Sequence, residues 1–228
     1  MASPRPAADG RLDSRPRTAT AGPPPGPGVV RLDLGGGAEA VLAVPQAGEQ
    51  PWPLLVFFHG AGGSAANSLS AVGELASSRG VLVLAPSSVA STWDLIAGGL
   101  GRDVAVLDAA LAQVFTSCPV SRVGFGGFSD GGSYALSLGV ANGDLADALI
   151  AFSPGFLAPP GQHGEPRIWI SHGDEDRVLP VDRCGRRVSR ELASAGYAVT
   201  YDEFHGGHVV RPDRVTAALD WWLGPAGG

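Results

Sequence analysis

Short apolar runs alternate with longer helical patterns along most of this chain, and this alternation constrains the fold more than any other feature. Residues 54–58 and 81–85 contain no polar side chain, as expected of strands that are buried on both faces of a parallel sheet. Residues 103–115 follow with apolar side chains at helical spacing. Strands that alternate with helices of ten or more residues predict an α/β fold, in which helices flank a mainly parallel sheet on both faces.

The same pattern continues to the end of the chain and predicts one folded domain over residues 29–224. The chain has 228 residues, which suits a single domain. The predicted strands cover residues 29–34, 38–44, 54–58, 81–85, 122–126, 149–152, 168–171 and 199–204. The predicted helices cover residues 64–78, 103–115, 131–140, 182–195 and 215–223.

Residues 1–28 differ in composition from the rest of the chain. They are rich in Pro, Ala and Arg and have almost no apolar periodicity. Such a segment buries too little apolar surface to offset the entropy lost on ordering. We therefore predict a disordered Pro/Arg-rich N-terminal tail over residues 1–28. Its proline run at residues 23–27 favours the polyproline II conformation. This conformation suits either a solvated spacer or a peptide motif that binds in the groove of another domain.

Charge and hydropathy exclude several classes of protein. The formal net charge of −6 argues against nucleic acid as a partner, because phosphate binding needs a concentrated basic surface. No apolar run approaches the roughly 18 residues that a membrane span requires. The N-terminus lacks the apolar segment of a secretory signal, so we expect a cytoplasmic protein. Cys118 and Cys184 have no metal-ligand spacing, and we expect two buried thiols rather than a disulfide.

One pentapeptide, Gly127-Phe128-Ser129-Asp130-Gly131, lies between a predicted strand and a predicted helix. It fits the Gly-x-Ser-x-Gly pattern, in which a strained turn projects the serine hydroxyl above the sheet and close backbone contact demands small flanking residues. A phosphate-binding glycine turn is the alternative, but a dinucleotide fingerprint would follow the first strand of a sheet, and here several strands precede it. We interpret Ser129 as a nucleophile.

Three further blocks accompany this turn in a fixed order. They are His59-Gly60-Ala61-Gly62-Gly63, His172-Gly173-Asp174-Glu175-Asp176 and Gly207-His208. Together the four blocks resemble those of α/β-hydrolases over roughly residues 29–223. Their order and spacing resemble the carboxylesterase/phospholipase branch, which overlaps with polyhydroxybutyrate-depolymerase-like and feruloyl-esterase-like proteins. The resemblance implies an α/β-hydrolase fold.

A serine nucleophile needs a general base and a group that orients this base. Five histidines are present, and both His205 and His208 follow the strand predicted at residues 199–204. The resemblance points to His208 as the base, with His205 shaping the loop. It points likewise to Asp176, the fifth residue of its block, as the acid, and Asp174 then caps the turn.

The resemblance also indicates which groups would contact a substrate. Backbone N–H groups of Ala61 and Asp130 would form the oxyanion hole. Trp93, Phe128 and Phe156 are candidates for substrate binding, and a packing role in the core is an equal alternative for Trp93. The interval between the strands at residues 149–152 and 168–171 is too short for a lid domain.

These residues imply a serine esterase that hydrolyses carboxylic esters, with short acyl chains preferred, through an acyl-Ser129 intermediate. A small-molecule ester is the expected partner, and neither a metal nor a cofactor is required. Lysophospholipids, acyl-thioesters or polyester oligomers are alternative substrates for the same triad. A non-catalytic hydrolase-fold binding module is the alternative from another class of protein. The sequence leaves the oligomeric state open.

Overall fold

Eight strands form one sheet in the computed structural model, which describes residues 7–17 and 21–224. The strands are β1 (Gly28–Asp33), β2 (Glu39–Val44), β3 (Trp52–Phe58), β4 (Leu82–Pro86), β5 (Val120–Phe128), β6 (Ala148–Phe152), β7 (Arg167–Gly173) and β8 (Val199–Phe204). Their spatial order is β1-β2-β4-β3-β5-β6-β7-β8. β2 runs antiparallel to β1 and to β4, whereas β3 to β8 pair in parallel.

Helices cover both faces of this sheet. They are α1 (Ala65–Ser77), α2 (Asp94–Ala97), α3 (Arg102–Ser117), α4 (Asp130–Ala141), α5 (Gly185–Ser194) and α6 (Pro212–Leu223). Apolar side chains of α3, α4 and α5 join one core cluster, and those of α1 and α6 join a second cluster on the opposite face. The predicted α/β architecture is therefore confirmed. Helix α2 was not predicted, because four residues are too few to show a helical period.

The central elements are apolar because they have no face toward solvent. All five residues of β4 and all five of β6 are buried. Every residue of α4 after Asp130 is also buried. Because the central strands are parallel, their carboxyl ends meet at one edge of the sheet, where loops from distant parts of the chain come together.

Residues 153–166 connect β6 to β7 without a helix or a strand, in agreement with the predicted absence of a lid domain. Both cysteines are free and buried, as predicted. Among the described residues, no helix is long and apolar enough to cross a bilayer.

The N-terminal segment differs from the expected disordered tail. Residues 1–6 and 18–20 of that tail lie outside the described residues, but residues 7–17 pack against the domain. Leu12 is 1% exposed within the core, and its N–H donates to Asn142 Oδ1 at 2.9 Å. Arg11 and Arg15 pair with Asp144 at 2.8 and 2.7 Å. The hydrogen bond from Arg11 holds the pKa of the Asp144 carboxyl well below its usual value.

We expect Leu12→Ala to lower the free energy of unfolding by about 2–5 kcal/mol, because it deletes a buried side chain and leaves a cavity. Urea denaturation monitored by circular dichroism measures this change. Val29→Ala is the control, because Val29 is 64% exposed and its truncation should cost less than about 0.5 kcal/mol. Equal stability of the two variants would show that residues 7–17 do not contribute to the folded domain.

Candidate active site

Ser129 occupies the sharp turn between β5 and α4. Its backbone has φ 57° and ψ −121°, a conformation that L-residues rarely adopt. The turn also brings its flanking glycines against backbone atoms. A Cβ atom on Gly127 would lie 2.2 Å from the Gly131 oxygen, and one on Gly131 would lie 2.1 Å from the Phe58 oxygen. The predicted need for small residues at these two positions is therefore steric.

The structure brings the three predicted triad residues together. His208, on the loop after β8, places Nε2 3.0 Å from Ser129 Oγ. Its Nδ1 lies 2.6 Å from Oδ2 of Asp176, on the loop after β7. A carboxylate at this distance fixes the proton on Nδ1 and leaves Nε2 free to accept the serine proton. The arrangement therefore has the contacts of a nucleophile, a general base and an orienting acid.

The Asp176 carboxylate is buried but well provided with hydrogen-bond donors. Its Oδ1 accepts the N–H groups of Val178 at 2.9 Å and Leu179 at 2.8 Å. Burial by itself raises the pKa of this carboxyl, but the bonds from Leu179, His208 and Val178 outweigh it, so the pKa of Asp176 lies below its usual value. Asp176 is therefore ionised at neutral pH, as orientation of His208 requires.

The two alternative side chains pair with each other at the surface. His205 Nδ1 lies 3.4 Å from Asp174 Oδ2, and both residues are exposed. Asp174 also accepts the Gly206 N–H at 3.1 Å, a bond that lowers the pKa of its carboxyl. This outer pair joins the loops after β7 and β8, which agrees with the predicted turn-capping role of Asp174 and loop-shaping role of His205.

The loop after β3 passes directly beside the candidate nucleophile. A Cβ atom on Gly60 would lie 3.3 Å from Ser129 Cβ. Gly62 and Gly63 donate their N–H groups to backbone oxygens of the surrounding loops. By contrast, the N–H groups of Ala61 and Asp130 have no acceptor among the described residues. These two amides are the ones predicted for the oxyanion hole, and both remain available to a ligand oxygen.

His59 braces this loop from the core side. Its Nε2 accepts the Ser88 N–H at 3.0 Å, so Nδ1 carries the proton that is donated to the Gly60 oxygen at 2.7 Å. Burial lowers the pKa of His59, against smaller opposing effects of Gly60 and Asp103. His59 is therefore neutral and holds the backbone next to Ala61, as expected of a bracing residue.

Trp93 does not line a pocket, in contrast to the sequence-based expectation. Its side chain is 1% exposed and stacks on Tyr134 with ring centroids 4.9 Å apart. The indole N–H donates to the His59 oxygen at 2.9 Å. A side chain this deep in the core cannot contact a substrate, so Trp93 instead supports the backbone of the candidate oxyanion loop.

The other two aromatic candidates are half-buried. The Phe128 ring packs against the His208 ring, with centroids 4.6 Å apart, and so restricts the orientation of the imidazole. Phe156 lies on the β6–β7 connection, where its N–H donates to Ser133 Oγ at 3.3 Å. Exposed Val178 and Val209 adjoin Asp176 and His208, respectively, and add apolar surface near the triad.

Three side chains around the site were not predicted to act there. Ser133 anchors the connection that carries Phe156, and Thr92 donates to Asp130 Oδ2 at 2.7 Å. His172 lies 3.2 Å from Asp176 Oδ2. The contacts of Ser133 and Thr92 join residues more than 20 positions apart in the chain, and only His172, the first residue of a predicted block, gave a signal in the sequence.

The strand order, the strained serine turn and the loops at the carboxyl edge together define an α/β-hydrolase fold with a Ser–His–Asp arrangement. Three solved structures superpose on this chain over nearly their whole length. The esterase PE8 is 23% identical, with 80% of this chain and 96% of that one covered and a TM-score of 0.65. Est1E from Butyrivibrio proteoclasticus is 17% identical, with 86% and 98% covered and a TM-score of 0.65.

A third similar structure is the S-formylglutathione hydrolase FrmB from Staphylococcus aureus. It is 14% identical, with 86% of this chain and 97% of that one covered and a TM-score of 0.67. No protein-family model and no curated protein sequence matches the chain. The likeness to solved structures therefore establishes the fold, and the activity has to be argued from the site.

Proposed function

We propose that the protein is a serine hydrolase that cleaves carboxylic esters through an acyl-Ser129 intermediate. The observation that carries this proposal is the unbroken series of contacts from Ser129 Oγ through both ring nitrogens of His208 to Asp176. Esterases among the structures with the same fold support it. A binding module would have no need of a strained serine in contact with a correctly oriented imidazole.

In the first half of the reaction, Ser129 Oγ attacks the ester carbonyl carbon and its proton passes to His208 Nε2. The carbonyl oxygen becomes an oxyanion that accepts hydrogen bonds from the N–H groups of Ala61 and Asp130. The bond to the alcohol oxygen then breaks, and His208 returns its proton to the departing alcohol. The acyl group remains on Ser129 as an ester.

In the second half, water takes the place of the alcohol. His208 removes a proton from the water as it attacks the acyl carbon, and the same two amides stabilise the second oxyanion. The bond to Ser129 Oγ breaks, Ser129 regains its proton from His208, and the carboxylic acid leaves. Asp176 stays ionised throughout and stabilises the imidazolium that forms twice in each cycle.

Short acyl chains are the substrates that suit this site. The β6–β7 connection contributes no lid helix that could enclose a long chain, and its Phe156 ring is half-buried. Apolar side chains on the loops of the triad include Phe128, whose ring packs on His208, and the exposed Val209. We propose a preference for acetyl and butyryl esters over octanoyl esters.

A fluorophosphonate probe tests the proposed nucleophile, because it reacts only with an activated serine. We expect one adduct per chain by intact mass, mapped to Ser129 by peptide analysis. Heat-denatured protein is the control and should not react. A panel of p-nitrophenyl acetate, butyrate and octanoate measures the acyl preference. Absence of an adduct would favour the binding-module class, whereas an adduct on another residue would exclude Ser129 as the nucleophile.

A further inference from the structure

His172 lies on the far side of the Asp176 carboxylate from the solvent. It is the last residue but one of β7, and its side chain is 0% exposed. Its Nε2 is 2.8 Å from the Leu179 oxygen and 3.2 Å from Asp176 Oδ2. A second imidazole therefore touches the same carboxylate oxygen that contacts His208.

The surroundings of His172 determine which of its ring nitrogens carries the proton. The Leu179 carbonyl can only accept a hydrogen bond, so Nε2 must be the donor. Burial lowers the pKa of His172, against weaker opposing effects of the Leu179 oxygen and of Asp176, so the ring is neutral at neutral pH. Nδ1 has no hydrogen-bond partner among the described residues. Gly185 packs against this side, where a Cβ atom would lie 2.5 Å from Nδ1.

The carboxylate of Asp176 thus has four N–H neighbours. Val178 and Leu179 donate to Oδ1, while His208 Nδ1 and His172 Nε2 approach Oδ2. Leu179 takes part twice, because it donates to Oδ1 and accepts from His172. N–H groups close to both oxygens restrict the plane of the carboxylate as well as its position.

We propose that His172 is a positioning residue for the triad: its Nε2–H, shared between the Leu179 oxygen and Asp176 Oδ2, aims the Asp176 carboxylate at His208. This inference rests on the proposed function. It extends that function with a fourth side chain, which contacts neither the substrate nor Ser129. A residue that only filled space in the core would have no need of a donor at Nε2.

Two substitutions separate the hydrogen bond from the volume of the ring. In His172→Gln the side-chain amide can place an N–H near the position of Nε2, whereas His172→Met keeps a similar volume without a donor. We expect kcat of His172→Met on p-nitrophenyl butyrate to fall about tenfold with KM unchanged. A tenfold loss corresponds to the lower end of the energy range for a hydrogen bond to a charged group. We expect His172→Gln to stay within about threefold of the wild type. The rate of fluorophosphonate labelling should follow kcat in both variants.

Equal kcat values in the two variants, whether high or low, would overturn the positioning role. A tenfold loss that appears in KM alone would also overturn it, because the hydrogen bond acts on the triad and not on substrate affinity. Melting temperatures show that both variants are folded. If wild-type protein neither reacts with the probe nor hydrolyses the ester, the proposed function fails, and this outcome is distinct from a failure of the inference about His172.

Nitrogen-15 NMR of histidine-labelled wild-type protein provides a test that needs no folded variant. We expect His172 to show a protonated Nε2 and a bare Nδ1 at neutral pH. Its Nε2–H resonance should shift when the probe occupies Ser129, because His208 and His172 share one carboxylate oxygen. A proton on Nδ1, or a resonance that does not respond to the probe, would exclude the shared hydrogen bond.

Discussion

Ser129→Ala should lower kcat for p-nitrophenyl butyrate by about 10⁶-fold, the loss typical when the nucleophile of such a triad is removed. The substitution deletes only Oγ, whose one hydrogen bond among the described residues is to His208 Nε2 at 3.0 Å. The Ser129 N–H bond to the Phe152 oxygen, at 2.9 Å, is made by the backbone and remains. Alanine is no more strained than serine at φ 57°. The melting temperature should therefore stay close to that of the wild type, and fluorophosphonate labelling should vanish.

Ser117→Ala is the matched control for this loss. Ser117 ends α3, and its hydroxyl donates to the Gln113 oxygen at 3.0 Å, away from the triad. The same chemical change there should leave kcat within about twofold of the wild type, because the Ser117 hydroxyl has no hydrogen bond to a triad residue. If Ser129→Ala retained most of the wild-type turnover, the acyl-Ser129 mechanism would be excluded.

The strand–turn–helix unit around Ser129 could be predicted from the sequence because its determinants are local. The apolar strand, the flanking glycines and the helix after Asp130 are consecutive in the chain, and each follows from a backbone requirement. The resemblance to α/β-hydrolase blocks indicated Asp176 and His208, and their loops meet because parallel strands deliver their carboxyl ends to one edge of the sheet. The fold thus turns a sequence order into a spatial cluster.

Side-chain direction on the irregular loops could not be predicted in the same way. Trp93 follows β4 at the correct edge of the sheet, yet it points into the core because Tyr134 and His59 form a stacking site there. Both partners lie on other elements, more than thirty positions away in the chain. Loop residues carry no period that separates a core face from a solvent face, so either orientation was compatible with the sequence.

The N-terminal segment shows the same limit for composition. One buried leucine, two arginines paired with Asp144, and hydrogen bonds to Asp108 and Asn142 hold residues 7–17 against the domain. Asp144 follows Arg11 by 133 positions, so no local sequence pattern predicts the contact between them. Composition predicts whether a segment can form its own core, but it does not predict whether the segment can add a side chain to an existing one.

Asp176→Asn should lower kcat by about 10⁴-fold, because it changes the tautomer of His208 and not only its electrostatic surroundings. The two backbone N–H groups at Oδ1 would hold the amide oxygen of the asparagine in place, and its NH2 group would then face His208 Nδ1. Nδ1 must accept from that NH2 group, so the proton of the neutral ring moves to Nε2. An imidazole with its proton on Nε2 cannot take the proton of Ser129, and steady-state kinetics with p-nitrophenyl butyrate measure the loss.

Asp174→Asn is the matched control, two residues away on the same loop. Asp174 is exposed, and its contacts are the Gly206 N–H and His205, neither of which touches Ser129. This variant should keep kcat within a few-fold of the wild type. Asp176→Asn should in addition lose about 1–3 kcal/mol of stability, because the NH2 group of the asparagine would face the Nε2–H of His172 and two donors cannot form a hydrogen bond. If Asp174→Asn inactivated the protein and Asp176→Asn did not, the orienting acid would be Asp174, and both the triad geometry and the role of His172 would have to be abandoned. The loss of kcat in Asp176→Asn therefore depends on which ring nitrogen of His208 carries the proton, because Asp176→Asn leaves the loop, the backbone hydrogen bonds and the imidazole itself in place.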